Sequence, residues 1–185
     1  MSASSPVLLV MDFQNAIVSR MDPAVLDAAC RGVAAARSAG VPVMFVRVAF
    51  RPGYPEVAAS NPTFSAAAHA GEAYHQDASP TQIHPALTPH EGEPVIVKRR
   101  VSAFTGSDLH VLLRGAGAGS LVLAGLSTGG VVLSTLCEAA DLDYGLTVLS
   151  DACADPDPEV HRVLVEKVFP KRGAVVTTEE WIASL

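Results

Sequence analysis

Hydrophobic residues along this chain fall into short continuous runs, separated by segments with helical spacing. Pro6 to Asp12 (PVLLVMD) is apolar at successive positions and ends in an acid, the pattern of a strand buried on both faces. Asp22 and Pro23 then supply an N-cap and an N1 proline for a helix to about Ser38, closed by Gly40. Val41 to Phe50 (VPVMFVRVAF), β-branched and aromatic, predicts a second strand. Further strands are predicted at Pro94 to Lys98, Ser120 to Leu126, Leu146 to Ser150 and Ala174 to Thr177. Helices are expected over Ser107 to Arg114, Gly130 to Leu142 and Pro158 to Val168. Strands alternating with helices at this spacing imply βαβ units with right-handed crossovers. The expected fold is therefore α/β: a three-layer αβα sandwich around a six-stranded, mostly parallel, doubly wound sheet.

One stretch breaks the alternation. From Arg51 to Pro94 the chain is rich in Pro, Gly, His, Ser and Ala, with one short helix predicted around Phe64 to Ala73. A connection of that length inside a compact domain reads as a functional loop or lid. The 185 residues suit a single domain over 1–185.

Composition narrows the partners. The formal net charge is −6, and positive residues are scarce and scattered, which argues against nucleic acid. With 49% hydrophobic and only 17% charged residues, some surface is expected to lie in a homo-oligomer interface. Three widely spaced cysteines, Cys30, Cys137 and Cys153, without a C-x-x-C pair, fit reduced thiols rather than disulfides or structural zinc. No apolar run approaches the roughly 20 residues of a membrane span, and the N-terminus lacks a basic n-region, so the expected location is cytoplasmic.

In doubly wound sheets, ligands bind beyond the carboxyl ends of the strands. The first strand ends at Asp12, which could cap the following turn or act as an acid. The third ends at Lys98, one of only three lysines, which could snorkel to solvent or pair with Asp12. The fourth ends in GLSTGGVVLST, a glycine-containing turn running into a helix whose free N–H groups would suit an anion or oxyanion. Gly125 to Gly129 also matches the G-x-S-x-G nucleophile elbow, with Asp151 and His161 following in triad order. Those two lie only ten residues apart, and His161 falls in a predicted helix, so a serine hydrolase using Ser127 is a minor alternative. The GAGAG at Gly115 to Gly119 precedes a strand and is no dinucleotide fingerprint. His69, His75, His84 and His90 lack the spacing that brings imidazoles to one ion, so neither a metal nor another cofactor is expected.

Asp12 in LLVMDFQNAIV, Lys98 in VIVKRRVSAF and the stretch LAGLSTGGVVLSTLCEAADLDYGLTVLSDACAD together resemble the isochorismatase-like hydrolase superfamily, the cysteine hydrolases. The resemblance runs in order over nearly the whole chain, weakest from Arg51 to Pro94. It implies a parallel αβα sandwich, assembly into dimers or larger oligomers such as tetramers, and Asp12 and Lys98 beside a nucleophile at the start of the helix after the fourth strand. Matching the family's G-[ILV]-x-T to Gly125 and Thr128 puts the nucleophile's position on Val131, so this member is expected to lack the catalytic thiol. Cys137, six residues along the same helix, would sit about 9 Å further down and turned about 120° away. The strand-two end, RVAFRPGYPE, also lacks the Asp-x-His of the nicotinamidase metal site.

Isochorismatases proper are similar in lacking the cysteine, and hydrolyse a vinyl ether. The resemblance then implies that Asp12 donates a proton to the enol carbon while Lys98 positions the acid or a substrate carboxylate. The pocket is expected to be lined by Gln14, Phe50, Phe104, Ser127, Thr128, Gly129, Gly130 and Val131, with oxyanion donors at the backbone N–H of Ser127 and Val131. The leading expectation is a Cys-independent hydrolase of a small anionic molecule, and the alternative is a binding or structural protein that keeps the fold without catalysis.

Overall fold

The computed structural model describes residues 5–185. Its elements in chain order are β1 (Ser5–Met11), α1 (Asn15–Val18), α2 (Pro23–Ser38), β2 (Val43–Val48), α3 (Pro62–His69), β3 (Val95–Lys98), α4 (Leu109–Gly115), β4 (Ala118–Leu126), α5 (Leu133–Asp141), β5 (Gly145–Ala154), α6 (Pro158–Val163), β6 (Ala174–Val176) and α7 (Thr178–Ile182). The six strands form one sheet in the order β3-β2-β1-β4-β5-β6. Every pairing is parallel, which tightens the expectation of a mostly parallel sheet. The chain steps outward from β1 to β3, then returns to place β4 against the other side of β1. That reversal opens a crevice beyond the ends of β1 and β4.

Alternation along β1 divides the core. Val7, Leu9 and Met11 pack on one face with Leu109, Leu113, Leu136 and Phe169. Leu8 and Val10 pack on the other with Ala28, Ala29, Val33, Ala36 and Trp181. Each such side chain, taken fully out of water, stabilises the fold by about 1.5–3 kcal/mol. On its buried stripe α2 presents only small residues and Val33, so it lies close to the sheet; a Cβ on Gly32 would already meet Leu149 and Thr178 at 3.5 Å. The helix begins as its sequence predicts, with the Asp22 carboxylate accepting from the Ala24 N–H at 2.9 Å and Pro23 at N1. Among the described residues no helix is long and apolar enough to cross a membrane.

Several boundaries differ from the sequence reading. The helix expected over Gly130 to Leu142 opens with a π turn, Thr128–Val132, before α5 begins. The one expected over Pro158 to Val168 stops being α-helical at Val163 and continues as a second π turn. β5 extends to Ala154, four residues past the predicted end, after an irregularity in its register with β4. α7 escaped the pattern reading, although Thr177 and Glu180 form a capping box ahead of the buried Trp181.

The 51–94 segment is packed rather than loose. Asn61 caps α3, and Phe64 joins Phe50 and Tyr54 in a third apolar cluster, with ring centroids 5.5–5.6 Å apart. Glu56 ties the segment to the end of β3 by accepting from Arg51 and Arg99, while its backbone oxygen accepts from Arg100.

Gly173 marks the tightest approach in the sheet edge. A Cβ there would overlap the Leu146 carbonyl, which is backbone and cannot swing aside. Gly173→Ala is therefore expected to destabilise the protein by about 1–3 kcal/mol, read as a lowered urea midpoint at unchanged m-value.

Candidate active site

Asp12 leaves β1 in the left-handed region, with φ 59°. For a residue other than glycine this costs about 1–2 kcal/mol. The surroundings hold it there: its N–H donates to the Val46 carbonyl at 2.8 Å, and its own carbonyl accepts from the Gln14 N–H at 2.8 Å. The turn aims the carboxylate across the end of β2 toward β3. There Lys98, in register with Val48, supplies its ammonium at 2.9 Å from Asp12 Oδ2. The Lys98 Nζ also donates to the Arg100 carbonyl at 3.1 Å. Both side chains are almost wholly buried, 6% and 3% exposed, so little water screens the pair.

The two carboxylate oxygens of Asp12 differ. Oδ2 is held by Lys98, whereas Oδ1 is buried without a hydrogen-bond partner among the described residues. Burial pushes the carboxyl above its ordinary value, against the opposing pull of the Lys98 charge, the Lys98 hydrogen bond and the Val48 backbone. A carboxyl so placed can carry a proton at higher pH than a free one. Its proton belongs on Oδ1, because Oδ2 already faces a donor.

A cavity of about 430 Å³ opens over this pair, lined among others by Val48 from β2, Phe64 from α3, and Ser127, Gly130 and Val131 from the turn after β4. These residues meet because β1, β2, β3 and β4 all point their carboxyl ends at the same crevice. The Leu126–Ser127 peptide is cis. A Cβ on Gly130 would come within 2.8 Å of Ser127 Oγ, so a larger residue there would turn the Ser127 hydroxyl aside.

Asp12, Lys98, Ser127, Gly130 and Val131 thus share one cavity, while the remaining residues expected there do not line it. Gln14 instead clips the scaffold: its Oε1 accepts from Val48 N–H at 2.9 Å, and its Nε2 donates to the Val48 and Thr81 carbonyls at 2.9 and 2.8 Å. Phe50 is drawn away because its backbone pairs with Tyr74 and Gln76, placing its ring in the third cluster. Phe104 follows a segment tied to α5 by the Ala103 N–H to Thr135 Oγ1 bond at 3.0 Å, and packs near Tyr144 at 6.2 Å. Thr128 is fully buried, its hydroxyl 2.8 Å from His161 Nδ1. The Gly129 N–H donates to Asp155 Oδ2 at 2.7 Å.

The same contacts separate the members of the suggested serine triad. His161 bonds Thr128, not Ser127, and Asp151 accepts from the N–H and hydroxyl of Thr178, each at 2.7 Å. The loop histidines also have local roles: His84 Nδ1 accepts from Ala86 N–H at 3.3 Å, and the His75 ring lies 5.2 Å from that of Tyr54. None of the three cysteines lines the cavity. Cys153 is buried in β5 beside Gly125, and burial pushes its thiol up to about 12. Cys137 is half-buried against the core, and Cys30 packs on α2 near the Ala86 carbonyl.

Sequence reasoning missed the apolar walls contributed by Ile17, Met21, Val48, Phe64 and Val101, and the cation Arg20 at the rim. Ile17, Arg20 and Met21 follow Asp12 closely, but short helix α1, which turns them back over the strand end, has no cap signal to announce it.

Comparison with known proteins finds relatives along nearly the whole chain. The isochorismatase domain is matched over residues 6–180. An uncharacterized isochorismatase family protein of Escherichia coli O157:H7, YecD, is 31% identical, covering 100% of this chain and 98% of that protein. The ureidoacrylate amidohydrolase RutB of Pseudomonas syringae pv. syringae is also 31% identical, over 100% of this chain and 82% of its own length. Among solved structures, an isochorismatase family protein from Burkholderia thailandensis superposes with a TM-score of 0.84 at 28% identity, covering 98% of this chain and 95% of the other. The domain match over nearly all of the sheet, together with relatives aligned end to end, makes this chain a member of the isochorismatase family.

Proposed function

We propose that this family member is a hydrolase that cleaves a small anionic vinyl ether by acid–base chemistry at Asp12, without a thiol nucleophile. The observation that carries the reading is the asymmetry of Asp12, a residue that lines the cavity: one carboxylate oxygen is fixed by Lys98, and the other is buried without a hydrogen-bond partner among the described residues. In the forward step the Oδ1 proton passes to the terminal carbon of the C=C–O unit, leaving an oxocarbenium ion and an Asp12 carboxylate. Water adds to the cationic carbon, and the proton it sheds returns to Asp12. The resulting hemiketal collapses to a ketone and an alcohol. Lys98 holds the carboxyl in line and stabilises its charged form between the two transfers.

The amidohydrolases among the relatives suggest amide cleavage as a second reading. What speaks against it is Val131, 2% exposed, which stands at the position where the family resemblance expects a thiol. The test compares 2-methoxyacrylate, which releases pyruvate, with a small N-carbamoyl amide. Wild-type protein is expected to turn over the enol ether only, and Val131→Cys is expected to gain amide turnover. Amide hydrolysis by the wild type would overturn the thiol-free mechanism.

A further inference from the structure

The charged groups around the cavity do not balance. Its lining carries one acid, Asp12, and two cations, Lys98 and Arg20. Lys98 is spoken for by Asp12 and by the Arg100 carbonyl. Arg20 makes no side-chain hydrogen bond or ion pair among the described residues, in a protein whose net charge is −6.

Acids do lie near it in the chain or in an adjoining cavity, but each is already engaged. Asp22 accepts from Ala24 N–H, Asp155 from the N–H groups of Gly129 and Asp157, and Asp151 from Thr178 with Arg31 at 3.8 Å. Arg20 is exposed and borders three cavities, of about 430, 330 and 420 Å³, so the residue sits where they adjoin. Its backbone is anchored by an N–H bond to the Ile17 carbonyl at 3.1 Å. Apart from its charged groups, the lining of the Asp12 cavity is mainly apolar, with Ile17, Met21, Val48, Phe64 and Val131 prominent and Thr63 and Ser127 the polar side chains.

From this we infer that Arg20 is the carboxylate anchor of the site, and that the cavity takes a small carboxylate with an apolar body, its far end directed at Asp12 Oδ1. The inference rests on the cavity being the active site proposed above, and it moves substrate-carboxylate recognition from Lys98 to Arg20. A guanidinium offers paired N–H donors that match a carboxylate, while the apolar wall rejects a second charge along the body.

The test is calorimetric binding of benzoate and of its neutral isostere benzamide to the purified protein. The wild type is expected to prefer benzoate by about tenfold or more, the gain typical of a charge-assisted hydrogen bond. Arg20→Gln should bind the two alike, with an unchanged melting temperature, and Arg20→Lys should recover part of the preference. Benzoate and benzamide bound equally by the wild type, or a preference that survives in Arg20→Gln, overturns the anchor. Loss of the preference in Arg20→Gln without enol ether turnover by the wild type keeps the anchor and removes the hydrolase. Turnover with a preference indifferent to Arg20 does the reverse.

Discussion

Asp12→Asn is expected to lower kcat/KM for enol ether hydrolysis by about 10²- to 10⁴-fold, the range a positioned proton donor contributes. Asparagine keeps the shape of the side chain, and its amide oxygen can still accept from Lys98, so the fold should persist. It has no proton to give to carbon. The measurement is steady-state pyruvate release at several pH values, with melting temperature recorded alongside. A fall of less than tenfold in a folded variant would show that Asp12 is not the donor.

Lys98→Met is the second large effect, and it acts through pH. In the wild type, burial raises the Asp12 carboxyl while the Lys98 charge and hydrogen bond hold it down. Without Lys98 the restraint goes and the carboxyl stays protonated to higher pH. Activity that needs the protonated acid therefore declines at a more alkaline pH than in the wild type, even as its maximum falls because the carboxyl is no longer held in line. Stability carries the same sign. An acid whose folded-state pKa is raised stabilises fully below its ordinary value, and that contribution is lost as pH rises through the folded value.

Since the variant raises the folded value further, its stability deficit against the wild type should widen between mild acid and pH 8. Every tenfold weakening of the folded carboxyl as an acid corresponds to about 1.4 kcal/mol. Urea denaturation of both proteins across that range checks it, and a deficit independent of pH would mean that Lys98 does not govern Asp12.

The pocket's chemistry was legible in the chain to the extent that it sits at strand ends. Asp12 and Lys98 each close an apolar run, and the glycine-containing turn follows another, so a search at the ends of continuous apolar runs finds all three. Gln14, Phe50 and Phe104 show where that reasoning stops. Each lies within a few residues of a strand end, yet Gln14 clips β2 to the Thr81 turn, Phe50 follows its backbone into pairing with Tyr74 and Gln76, and Phe104 follows Ala103 toward α5. Those choices are made by contacts with residues far along the chain, which no local pattern encodes.

By itself, the sequence determined the alternation of strands and helices, the parallel sheet it requires, and the two ionisable side chains at its carboxyl edge. These follow from burial and periodicity, which act locally along the chain. The tertiary structure alone decided that β1 lies beside β4, that Lys98 reaches across β2 to one oxygen of Asp12, and that, among the described residues, the other oxygen and the Arg20 side chain at the rim have no polar partner. Strand order and the sharing of polar partners depend on which surfaces fit in three dimensions, so the charge balance of the cavity emerges only when the sheet is assembled.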